Sequence, residues 1–362
     1  YTEDCRTDMY PPKGPFKGTV SWYTIDLDLP PHKRWTSVIT DKKKDLDGMI
    51  EVIRDLAKAF VPSGRLIELV DITLPLIVNT LPDPFKDEIK GIALDSGIPL
   101  EITLFNIFYE VFTVCTSVVA EDAKNLLHGR NLDFGLFMWD MKNKSWIISE
   151  KLKPLVVNLD FRKNNKTVFK STNFAGYVGM LTGIKPHLFS LTMNERFSLD
   201  GGYIIMEWIL GQRDGMWMSF LTRSVLENAT YENARSLLAQ TKLLAPAYFI
   251  LGGNKSGQGC IITRSRTLSL DLLLNMKLGR WYVLETNYDH WEDPFVLDDR
   301  RTPAMTCMNK TTQNNISIKT LYDVLSTKPV LNKLTTYTTL MQVSEGTLES
   351  YIRDCPNPCM PW

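Results

Sequence analysis

The chain has 362 residues, 44% of them hydrophobic, which is ample for a packed core in one large domain or two small ones, and it carries no signature of disorder. With 41 basic and 41 acidic residues the formal net charge is zero, so no global basic field argues for nucleic acid. Six N-x-S/T sequons, at Asn143, Asn165, Asn228, Asn254, Asn309 and Asn315, exceed the few that chance supplies and point to a secreted-route glycoprotein; the initial Tyr1 fits a precursor already relieved of a signal peptide, or a trimmed chain.

Residues 1–35 are rich in Pro, Gly and aromatics, and T-V-S-W-Y-T-I-D-L-D-L alternates enough to predict a strand that joins a sheet of the later part. From Asp45, Met49, Ile50, Ile53, Leu56, Ala57 and Phe60 recur at helical spacing, and Pro62 ends the pattern. A second apolar helix is expected over 64–81, interrupted by Glu68, Asp71 and Pro75 and so unsuited to a transmembrane span. Two more helices are expected over 85–96 and 99–112. The apolar excess from Leu66 to Val78 either packs against the second part or forms a greasy surface for a bilayer or a lipid-presenting protein.

At Cys115 the pattern changes to period two. C-T-S-V-V-A and L-L-H-G-R-N-L-D-F-G predict a hairpin, V-V-N-L-D-F-R and T-V-F-K-S-T-N-F a second one around K-N-N-K. Strands continue through G-M-L-T-G-I and L-F-S-L-T-M-N. Helices are expected over 202–212 and 216–241, the latter broken at Asn228. Strands return at A-Y-F-I-L-G-G, G-C-I-I-T-R and R-W-Y-V-L-E-T-N-Y, then a helix over 318–325 and a last strand in T-T-Y-T-T-L-M-Q-V. Periodicity alone gives an α+β fold.

Taken alone, a cysteine after F-Y-E-V-F-T-V reads as a buried structural thiol. Cut between Val114 and Cys115, however, the chain would present a thiol and a free α-amine on one residue, a nucleophile with its own base. Cys355 and Cys359 in C-P-N-P-C read as a local disulfide, two free thiols or half a zinc site, although His32, His128, His187 and His290 show no ligand spacing with them.

The string C-T-S-V-V-A-E-D…H-G-R-N-L-D-F-G resembles cysteine N-terminal nucleophile hydrolases of the bile-salt hydrolase and penicillin V acylase type. More narrowly it is similar, over almost the whole chain, to the acid ceramidase and N-acylethanolamine acid amidase family. That resemblance implies a four-layer αββα sandwich of two antiparallel sheets, with 1–114 as a helical, hydrophobic α-subunit and 115–362 as a catalytic β-subunit. It implies that Cys115 is the nucleophile, that Arg130 supplies positive charge, and that Asp133 orients the α-amine. Asn287 in T-N-Y-D-H-W would be the oxyanion donor, and Arg300 in L-D-D-R-R a basic residue near the scissile amide, with Arg301 as runner-up. Glu195 in M-N-E-R-F-S would be an acidic pocket residue. Read individually, these are turn or loop residues, and His128 reads as structural. The family pattern pairs Cys5 with Cys307 across the cut and leaves Cys260 free. It implies no metal or cofactor, ceramide or related N-acyl lipids as substrate, a membrane surface or saposin-type presenting partner, and a lysosomal, partly secreted protein. The C-P-N-P-C end and D-F-G after Leu132 lean toward the ceramidase branch; an N-acylethanolamine amidase and a non-catalytic lipid-binding glycoprotein are the alternatives.

Overall fold

A computed structural model of the chain describes residues 1–13, 20–50, 52, 76–109, 113–134, 139–140, 145–197, 208, 210–275 and 278–359. Among the described residues fifteen strands fall into an eight-stranded sheet, a five-stranded sheet and a two-stranded ribbon. The large sheet contains β1 (Trp22–Asp26), β6 (Val156–Lys163), β7 (Lys166–Phe174), β8 (Thr182–Lys185), β9 (Phe189–Glu195), β10 (Ala247–Gly252), β11 (Gly259–Arg264) and β12 (Ser269–Leu273), in that spatial order. The small sheet runs β13 (Tyr282–Glu285), β2 (Thr113–Glu121), β3 (Leu126–Phe134), β14 (Thr335–Gln342), β15 (Thr347–Ile352). The ribbon pairs β4 (Trp139–Asp140) with β5 (Ser145–Trp146).

The expected N-terminal strand does join the later sheet: β1 lies parallel to β6, so the segment before residue 115 supplies an edge strand to the part after it. The β6–β7 hairpin turns on Asn164 and Asn165, whose φ values of 50° and 58° are the left-handed pair that a two-residue hairpin needs.

The sheets face one another and helices cover their outer sides, which makes the four-layer αββα sandwich. Alternation along each strand assigns the faces. Val118 and Ala120 of β2 pack outward with Leu321 and Leu325 of α8 (Ile318–Ser326) and Cys307 of α7 (Arg301–Thr311), whereas Val119 packs inward with Tyr248 and Ile250 of β10. Over the outer face of the large sheet lie α5 (Met218–Asn228) and α6 (Tyr231–Gln240), together with α1 (Thr36–Asp47), α2 (Phe85–Ser96) and α3 (Pro99–Phe108). A short α4 (Ile147–Leu152) packs on β3 and β14.

Some elements differ from expectation. α1, over Thr36–Asp47, had no forecast and ends before most of the stretch read as helical from Asp45; Val38, Ile39 and Leu46 form its buried stripe while Lys42–Lys44 stay toward solvent. Most of the helix expected up to Phe60, the 64–81 helix up to residue 75 and the 202–212 helix apart from Trp208 and residues 210–212 lie outside the described residues. α3 ends at Phe108, and Thr113 already belongs to β2. Further elements had no forecast: the β4–β5 ribbon and α4; edge strand β12, whose Leu270 and Leu273 are exposed; edge strand β15; and α7, whose buried face is only Ala304, Cys307 and Met308.

The disulfides are Cys5–Cys307 and Cys355–Cys359, with Cys115 and Cys260 free and buried. The first fastens the N-terminal segment to α7. The five sequon asparagines among the described residues, all but Asn143, are exposed.

Candidate active site

Cys115 is the third residue of β2, fully buried, on the face that looks into the large sheet. The Val114–Cys115 peptide lies within the strand, Val114 opposite Asp133 and Cys115 opposite Leu132. The Cys115 N–H donates to Asn287 Oδ1 at 2.9 Å. Burial pushes the thiol above its ordinary value; Arg130 and Arg300 act against this by favouring the thiolate, and Asp133 and Glu195 reinforce it.

Arg130 stands opposite Ser117, on the same inward face as Cys115 and diagonal to it. Its Nη1 donates to Leu181 O at 2.9 Å and Thr182 Oγ1 at 2.8 Å, its Nη2 to Met193 O and to Asn194 Oδ1 at 2.7 Å. All four acceptors are neutral, so no bonded carboxylate cancels the guanidinium charge within the site. Asp133 is on the outward face of β3, where its carboxylate accepts from Thr335 Oγ1 at 2.6 Å and Asn332 Nδ2 at 3.0 Å. Burial pushes its carboxyl up to about 6 against the pull of Arg300 and these two hydrogen bonds.

Asn287 follows β13 by two residues and Arg300 caps the start of α7. Arg300 donates from Nη1 to Cys115 O at 2.6 Å and Thr116 Oγ1 at 3.2 Å, and from Nη2 to Asn287 Oδ1 at 2.9 Å. Its charge is balanced by Asp298, 2.9 Å from Nε. Arg130 and Arg300 thus approach Cys115 from opposite faces of the sheet, one on the side-chain side and one at the carbonyl. Asn287 Nδ2 donates to the backbone carbonyl of Glu195 at 2.7 Å, which ties the end of β9 to the same cluster. Arg301 is elsewhere: it braces the following loop through Tyr288 O, Asp289 O and Glu292 O.

His128 sits between Ser190 Oγ at 2.7 Å and Thr192 Oγ1 at 2.9 Å; burial pushes it down to about 3, so it is a neutral structural group, in keeping with its reading from sequence. The set singled out in the sequence, Cys115, Arg130, Asp133, Glu195, Asn287 and Arg300, therefore comes together around one strand end.

Sequence reasoning passed over three supports. Asn194 bonds Arg130 and Ser117, Thr335 and Asn332 cradle Asp133, and Tyr109 closes one end of the intersheet space with its ring 5.0 Å from Phe134 and 4.4 Å from Tyr177. The available signal was the run of small polar residues at alternate inward positions, Ser190, Thr192 and Asn194, on a strand whose surroundings read as apolar core.

A buried cysteine early in an inner strand of a two-sheet αββα sandwich, flanked by an arginine on each face, defines an amide hydrolase of the N-terminal nucleophile type. Comparison agrees. Residues 115–354 match the family model of linear amide C-N hydrolases, choloylglycine hydrolase family, and residues 18–81 match that of the beta subunit of N-acylethanolamine-hydrolyzing acid amidase. Acid ceramidase of Homo sapiens is 61% identical over 369 residues, covering 100% of this chain and 93% of that protein; acid ceramidase of Mus musculus is 59% identical, with 100% and 94% covered. Among solved structures, the Caenorhabditis elegans N-acylethanolamine-hydrolyzing acid amidase ortholog superposes with a TM-score of 0.57 at 31% identity, covering 66% of this chain and 100% of that one. The chain belongs to the acid ceramidase family.

Proposed function

We propose that this protein hydrolyses the amide bond of ceramide to sphingosine and a free fatty acid, through a thioester on Cys115, after the chain cuts itself between Val114 and Cys115. The observation that carries the reading is the convergence of Arg130 and Arg300 on one buried cysteine, in a chain 61% identical to an acid ceramidase. That the family model for linear amide hydrolases starts at residue 115 supports 1–114 and 115–362 as the two subunits.

In maturation the Cys115 sulfur attacks the Val114 carbonyl carbon and the peptide nitrogen leaves as the Cys115 amine. Water then hydrolyses the thioester, giving the Val114 carboxylate and regenerating the thiol. In turnover the same sulfur attacks the lipid amide, the amine product leaves with a proton, and water releases the fatty acid. The α-amine is the base. With a reference value of about 7.7 it would be only roughly 0.2% neutral near pH 5. Arg130 and Arg300 disfavour an ammonium and favour a thiolate, while Asp133 pulls the other way by stabilising the ammonium it orients. Asn287 serves as the oxyanion donor through its amide N–H, and Glu195 receives a polar group of the substrate. The setting is the lysosome, with partial secretion, and a saposin-type protein or the membrane surface presents the lipid.

The test is mass spectrometry with N-terminal sequencing of deglycosylated protein before and after acid incubation, reduced and non-reduced, beside Cys115→Ala. A new N-terminus at Cys115 in the wild type only, with ceramide hydrolysed faster than palmitoylethanolamide, is the expected result. An intact chain that still hydrolyses ceramide would overturn the α-amine mechanism. A faster turnover of palmitoylethanolamide would move the protein to the sister activity, and a thiol probe that fails to label Cys115 in the matured protein would make it a non-catalytic lipid binder.

A further inference from the structure

Three strands of the small sheet and one of the large sheet meet at a single side-chain amide. Asn194, on the inward face of β9, is wholly buried. Its Oδ1 accepts from Arg130 Nη2 at 2.7 Å and from Ser117 Oγ at 2.9 Å. Its Nδ2 donates to Glu285 O at 3.1 Å and to Thr286 O at 2.9 Å. An asparagine side chain offers two acceptor positions and two N–H groups, and here all four are used.

The partners are not interchangeable. Arg130 is the cation on the thiol side of Cys115, and Glu285 and Thr286 are the two residues before Asn287. The next residue on β9 closes the loop: the Glu195 carbonyl accepts from Asn287 Nδ2, whose Oδ1 in turn holds the Cys115 N–H. Asn194 reaches from β9 to the backbone ahead of Asn287, and Asn287 reaches back to the backbone after Asn194. This reciprocal pair fixes the distance between the Arg130 guanidinium and the Asn287 amide, both carried by the small sheet, through one strand of the large sheet.

We infer that Asn194 is a positioning residue of the amidase reaction: one planar amide sets Arg130 against the Cys115 thiol and, through Glu285 and Thr286, sets Asn287 against the reacting carbonyl. The inference rests on the Cys115 mechanism proposed above. It touches no substrate atom; it acts through its two neighbours. A buried amide with every hydrogen bond made cannot flip without breaking all four, which is the rigidity such a role needs.

Two substitutions separate the two arms. Asn194→Asp keeps both acceptors, puts a carboxylate beside Arg130 and turns the donors facing Glu285 O and Thr286 O into acceptors. Asn194→Ser leaves one oxygen and adds no charge, but drops the tether to the backbone before Asn287. In matured protein the pH dependence of Cys115 alkylation by iodoacetamide and the kcat and KM for ceramide are measured beside Cys115→Ala. Asn194→Asp is expected to shift the thiol titration upward and lower kcat at least tenfold, with KM changed less than threefold. Asn194→Ser is expected to lower kcat at least fivefold with the thiol titration in place. A folded Asn194→Asp with wild-type thiol titration and kcat would overturn the inference. Failure of both variants to fold would also overturn it, assigning the amide to stability alone. If instead Cys115→Ala still hydrolyses ceramide, the nucleophile assignment fails, a result the Asn194 variants do not produce.

Discussion

Glu88 on α2 is a buried carboxylate that lies before the proposed cut, while its principal partner lies after it. It accepts from Arg223 Nη1 at 2.7 Å and Nη2 at 2.6 Å, from Arg34 Nη1 at 3.2 Å and from Trp35 Nε1. The Arg223 guanidinium is held between the rings of Phe85 at 5.1 Å and Phe161 at 5.2 Å. Glu88→Ala strands this buried cation, and removing one partner of such a pair costs about 3–5 kcal/mol. Glu227, 3.1 Å from Arg223 Nε, and the Val178 carbonyl remain as partners, so the lower figure is the one expected. With an unfolding entropy of about 2.1 cal/mol/K per residue, about 3 kcal/mol lowers the Tm of this 362-residue chain by about 4 °C. Thermal denaturation followed by near-UV circular dichroism reads it. The paired replacement Glu88→Leu with Arg223→Met should recover most of the loss, because it is the unpaired charge and not the lost pair that costs. In matured wild type the two halves should stay together in native buffer after reduction of Cys5–Cys307, and in Glu88→Ala they should separate on gel filtration. A Tm change under 1 °C, or wild-type halves that part on reduction alone, would refute the reasoning.

Glu285 is buried on β13, where desolvation and Asp289 push its carboxyl up to about 8 against Arg301 and Arg300. Its folded value is raised, so the stability it contributes is fully present below about 4.5 and is lost as pH rises through about 8, at about 1.4 kcal/mol per pH unit. Glu285→Gln should therefore match wild type in Tm near pH 4.5 and exceed it at pH 8; parallel curves would refute the burial argument. Gly91 on α2 packs so closely on the backbone that an added Cβ would lie 2.1 Å from His32 O, and Gly91→Ala should cost about 1–3 kcal/mol by denaturant titration. Burial pushes the Cys260 thiol up to about 12, so peptide mapping after iodoacetamide at pH 8 should find native Cys260 unmodified.

Much of the candidate site was legible because its residues come in short strings. H-G-R-N-L-D-F carries Arg130 and Asp133, and T-N-Y-D and L-D-D-R-R carry Asn287 and Arg300. The β2–β3 hairpin was legible for the same local reason, two short runs joined by the polar turn E-D-A-K-N. Edge strands β12 and β15 and helix α7 were not, because only one side of each meets the core and their polar residues blur the period. α1 as a whole was not legible, because Lys42–Lys44 interrupt a stripe of only three buried residues.

Sequence by itself determined the chemistry available to this protein: one cysteine at the change of pattern, the arginines and the acid near it, the hairpins and the long helices. Tertiary structure alone decided how they meet. Cys115, Asn194 and Arg300 are far apart in the chain, and only the stacking of two sheets brings an amide from one against the cation of the other. Which face a residue occupies is set by strand register, so Arg130 and Asp133, three positions apart, point to opposite sides of β3. The same packing buries the Cys115 thiol and the Asp133 and Glu285 carboxyls, raising all three because the charged forms lose water they would otherwise bind.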